Sequence, residues 1–78
     1  MSMFMGMNKE ELIEKFEKHT ASEEEVLRSI AGLHDYFSKK EKEFAVLVIE
    51  QSNSNNGIQP RIMRTIENRL AEKLRKLP

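Results

Sequence analysis

The chain contains no cysteine and no tryptophan, one tyrosine, two prolines and three glycines in 78 residues. Without cysteine it has no disulfide framework and no thiolate metal site, which fits a reducing interior. Its few glycines form no phosphate-cradling loop. No apolar run approaches the ~20 residues that a membrane-spanning helix needs. The start, Met1 to Met7, lacks the basic region of a signal peptide. The expectation is a cytoplasmic protein with no membrane partner. A chain this short makes one domain, 1–78, whose thin core is marginal unless another copy covers it.

Catalytic and metal-binding residue types are scarce too. His19 and His34 show neither His-x-x-x-His nor His-Glu-x-x-His spacing. His19 falls in the last turn of the first expected helix, where the dipole favours a cation, and His34 lies beside the apolar stripe of the second. Glu23-Glu24-Glu25 opens a helix, where carboxylates act as caps. The reading is therefore not an enzyme, with no metal and no cofactor.

What the chain has in quantity is charge, at 33% of its residues. The signs balance overall but not locally. Residues 1–50 carry eleven acids against seven bases, and residues 51–78 carry six bases against Glu67 and Glu72. Such a split suits an anionic partner for the basic end, or attraction between the two ends within a dimer.

Local signals divide the chain into four helices, at about 8–19, 22–37, 39–51 and 59–77. Asn8-Lys9-Glu10-Glu11, Ser22-Glu23-Glu24-Glu25 and Ser38-Lys39-Lys40-Glu41 each read as a capping box. Leu12, Ile13 and Phe16 recur at helical spacing, as do Val26, Leu27, Ile30, Leu33 and Phe37. The run Phe44 to Ile49 has strand-like composition, but its cap favours a helix that is apolar nearly all round, and so the most buried element. Residues 52–58 form a turn-rich loop, and Pro60 suits the first turn of the last helix. There Ile62, Met63, Ile66, Leu70, Leu74 and Leu77 line one side. Arg61, Arg64, Arg69, Arg75 and Lys76 cluster on the other, with Lys73 at the border. Residues 1–7 read as a short strand that must pair with a second copy, or as a tail.

A short apolar segment, a capped helix, a tight turn and a second helix carrying Ser22, Val26, Leu27, Arg28 and Ile30 resembles the ribbon-helix-helix family over residues 2–37. That resemblance implies a mainly α, intertwined homodimer with an N-terminal β-ribbon, extended here by two helices. Its interface would comprise Met3, Phe4, Met5, Val26, Leu27, Ile30, Leu33, Phe37, Phe44, Leu47 and Val48. The family's ribbons enter the DNA major groove, and the second helix's start holds a phosphate. Here only Ser2 is polar in the ribbon, and Glu23, Glu24 and Glu25 crowd the phosphate site. Residues 37–77 also resemble the helical effector domain of TetR-type repressors. The function this implies is a small dimeric DNA-associated regulator. Ser2, Arg61, Arg64, Arg69 and Lys73 would meet double-stranded DNA. The alternative is a protein-binding adaptor or inhibitor on the same dimeric fold.

Overall fold

The structure is a computed structural model that describes residues 8–54 and 56–77. Four helices follow one another: α1 (Lys9–Glu17), α2 (Glu23–Leu33), α3 (Lys39–Ser52) and α4 (Pro60–Lys76), with a 3₁₀ turn at His34–Tyr36 between α2 and α3. The starts are set locally. Asn8, Ser22 and Ser38 each accept from the backbone N–H three residues on, at 2.8, 3.1 and 3.2 Å. Glu25 and Glu41 close the last two caps by accepting from the N–H of Ser22 and Ser38, both at 2.8 Å. Pro60 opens α4, where its missing N–H costs nothing.

The stops differ from the sequence reading. α1 ends at Glu17, because His19 takes a left-handed conformation (φ 58°) and the N–H groups of His19 and Thr20 turn back to Phe16 and Lys15. α2 ends at Leu33 and not at Phe37. The chain tightens into the 3₁₀ turn and then extends at Phe37 (φ −85°, ψ 141°), which frees Ser38 to cap α3.

α4 packs against α1, α2 and α3. Its Ile66, Leu70, Ala71 and Leu74 meet Leu12, Phe16, Val26, Ile30, Leu33, Phe37, Ala45, Val48 and Ile58 in one core. This overturns the expected architecture. The stripes of α1 and α2, expected to be covered by a second copy, are covered by α4 of the same chain. The regular structure of the described residues is helix alone, with no strand among them, so the expected helices-plus-ribbon class is corrected to all-α over those residues. The ribbon expected at 1–7, with Met3, Phe4 and Met5, lies outside the described residues.

A second correction concerns α3. The run Phe44 to Ile49 is helical, but it is not the most buried element. Only Ala45 and Val48 of α3 are buried, while Val46, Leu47 and Ile49 are 55, 40 and 39% exposed. α3 meets the rest of the molecule along one side, because α4 already occupies the centre.

Candidate functional site

α3 and α4 form an antiparallel hairpin tied at both ends. Near the open end Lys73 bridges Glu41 at 2.8 Å, and near the loop the Gln59 N–H donates to Gln51 Oε1 at 3.2 Å. At the end near Glu41, the start of α3 and the middle of α4 line a half-open groove of about 480 Å³, formed by Phe37, Ser38, Lys40, Glu41, Phe44, Thr65, Ile66 and Arg69. Phe37 and Ile66 belong to the core, and Phe44 is only half-buried. Leu47 lies three positions beyond Phe44 and seven beyond Lys40, so it extends that wall by one turn. Lys40 and Arg69 are exposed and have no carboxylate within bridging distance among the described residues. The Lys73 hydrogen bond, helped by the Ser38 backbone, holds the Glu41 carboxyl below its ordinary range. The rim is thus cationic, with its one acid already neutralised.

The cations expected to meet DNA separate by position. Arg69 lines the groove. Arg61 lies exposed two turns earlier on the same side of α4. Arg64 is turned about 140° round the helix from Arg69 and faces elsewhere. Lys73 is engaged by Glu41. Ser2 lies outside the described residues. Of the residues expected at a dimer interface, Val26, Ile30, Leu33, Phe37 and Val48 are buried within this one chain. Leu27 and Phe44 are half-buried, and Leu47 is exposed.

The acidic cluster is taken apart by the fold. Glu23 Oε2 accepts from the Ile58 N–H at 3.1 Å and so holds the α3–α4 loop. Glu24 pairs with Arg28 on its own helix. Glu25 bridges Lys15 at 2.7 Å, and that bond, with the Ser22 backbone, pulls its carboxyl below the ordinary range. No group of three or more His, Cys, Asp or Glu is arranged to hold a metal ion among the described residues. No described helix is long and apolar enough to cross a membrane.

Sequence reasoning missed Glu67. It is 1% exposed. Its Oε1 lies 3.1 Å from His19 Nδ1, and its Oε2 accepts from the Ala21 N–H at 3.3 Å. The signal was present: Glu67 follows Met63 by four and precedes Ala71 by four, inside the apolar stripe of α4. A charge there has to be met by polar groups, and the α1–α2 turn supplies them. His19 thus contacts the buried Glu67 carboxyl from the α1–α2 turn, and His34 sits exposed beside Asp35.

No family model, characterised protein or solved structure matches this chain.

Proposed function

We propose that this protein is a non-catalytic interaction module that docks a segment of another protein in the groove between α3 and α4. The observation that carries this reading is the groove itself. Phe44 and Leu47 keep apolar surface in water beside a cationic rim, although α4 has satisfied the rest of the core. Clustered apolar exposure of this kind marks interaction surfaces more than scattered single residues do. The test is selection of binding peptides from a display library, followed by measurement on a Phe44→Glu, Leu47→Glu variant. Leu47 is exposed but Phe44 is half-buried against the core, so circular dichroism establishes that the double variant stays folded, and Leu47→Glu alone is measured where it does not. Loss of binding supports docking here. Equal binding to both forms sinks it.

A second reading keeps the regulator expectation without the intertwined dimer: α4 lies against the phosphates of double-stranded DNA. It is favoured by Arg61, Arg64 and Arg69, none of which has a carboxylate partner among the described residues. Three phosphate contacts would give a roughly 40-fold loss of affinity between 50 and 200 mM salt. Titration of a duplex at those two concentrations tests it, and absence of binding at the lower one removes it.

A further inference from the structure

We infer that the occupant of the α3–α4 groove is an acidic amphipathic helix of a partner protein. The inference rests on the docking reading above and specifies the partner's chemistry. Three properties of the groove select it. First, its walls are two helices whose backbone groups are already bonded internally, and no sheet edge exists among the described residues. An extended segment laid here would find no backbone partners, whereas a helix brings its own hydrogen bonds and offers side chains alone.

Second, the volume suits a small row of anchors. A cavity of about 150 Å³ holds one benzene-sized group. The groove of about 480 Å³ therefore takes roughly three bulky apolar side chains. Helices that dock in grooves present such anchors at i, i+3 or i+4, and i+7. The floor that receives them is Phe37, Phe44 and Ile66, with Leu47 one turn beyond.

Third, the unbridged charges flanking the floor are mostly cationic. Lys40 stands on the α3 wall and Arg69 on the α4 wall, neither bridged to a carboxylate among the described residues, and Arg61 continues the α4 side. Glu41, the only acid in the lining, is bound to Lys73. Of the remaining nearby acids, Glu72 pairs with Lys76, and Glu43, exposed on α3 three positions beyond Lys40 and four before Leu47, adds one carboxylate to that wall against the three cations Lys40, Arg61 and Arg69. Cations on both walls favour a helix whose apolar face is edged on both sides by Asp or Glu. They oppose a basic helix through like-charge repulsion.

The test uses the full ¹⁵N-labelled chain and three synthetic helical peptides that share one apolar face and differ only in flanks of Glu, Gln or Lys. Amide shifts are followed through each titration. The expected result is that the Glu peptide moves the amides of Lys40, Phe44, Leu47 and Arg69, and binds at least tenfold more tightly than the Gln peptide. Arg69→Glu, a surface change that leaves the fold intact, then reverses the order of the Glu and Lys peptides. Equal affinity of the Glu and Gln peptides, lost on Phe44→Glu, overturns the acidic inference while docking stands. Groove amides unmoved by any peptide overturn both. A DNA duplex that shifts Arg61 and Arg64, with the groove silent to all three peptides, overturns both in favour of the second reading.

Discussion

Glu67 is the one charged residue among the described residues that is buried. Its carboxyl is fully buried, with one oxygen 3.1 Å from the His19 ring and the other accepting from the Ala21 N–H of the α1–α2 turn. Replacing it with alanine leaves the Ala21 N–H and the His19 ring without that partner and opens a hole between α4 and the turn. The expected loss is about 3 kcal/mol in urea unfolding, with Glu67→Gln losing less because one acceptor survives. A loss within about 0.5 kcal/mol for the alanine variant, the range of ordinary surface changes, would contradict this role. Gly57 makes the second residue-scale case. Its φ is +71°, and a Cβ there would stand 2.7 Å from Glu23 Oε2. Gly57→Ala is expected to cost roughly 1–3 kcal/mol. In a Glu23→Ala background the penalty shrinks, because no oxygen has to be displaced. A coupling below about 0.5 kcal/mol in the double-mutant cycle would show that the two do not interact. The need for a turn residue in this loop was legible in the sequence. Its partner Glu23, some 35 positions away, was not, because a cap residue and a loop anchor look alike until the chain is folded.

At the scale of the element, two carboxylates join a helix start to a neighbouring helix. Glu25 caps α2 and bridges Lys15 of α1, and Glu41 caps α3 and bridges Lys73 of α4. Both titrate below their ordinary value of 4.5, chiefly through the lysine hydrogen bond. A carboxyl with a depressed folded-state pKa stabilises above its unfolded value, and that stability is lost as pH falls through the folded one. Thermal stability is therefore expected to hold from neutral pH down to about 5 and to decline below about 4.5. The Glu25→Gln, Glu41→Gln double variant should show a shallower decline over the same window. An unchanged acid profile in that variant would rule out the two carboxylates as its source. The caps themselves were legible, since each acts within four consecutive residues. The course of α3 was not. Its Val46 and Ile49 look like core by hydropathy and are exposed because α4 has taken the central place.

For the whole molecule, the radius of gyration is 11.6 Å, close to the roughly 11.5 Å of a folded domain of this length. Among the described residues, thirteen apolar ones are buried within one chain. The core as described is therefore covered by elements of the same chain. The melting temperature is accordingly expected to stay constant across a hundredfold dilution through the micromolar range. A midpoint that falls with dilution would show that association supplies part of the stability.

The sequence by itself determined where the helices begin and that α4 has one apolar and one basic side. Capping and helical periodicity operate over three or four residues, and no distant contact is needed to read them. Only the tertiary structure decided which surface covers which. Apolar burial has no direction of its own, so the stripes of α1 and α2 would be satisfied equally by a second copy or by α4. The covalent tether decides between them. It holds α4 at an effective concentration on the order of millimolar, far above that of a separate chain. The helix expected to face a partner is therefore the centre of the core, and α3, expected to be the most buried element, keeps Val46, Leu47 and Ile49 exposed.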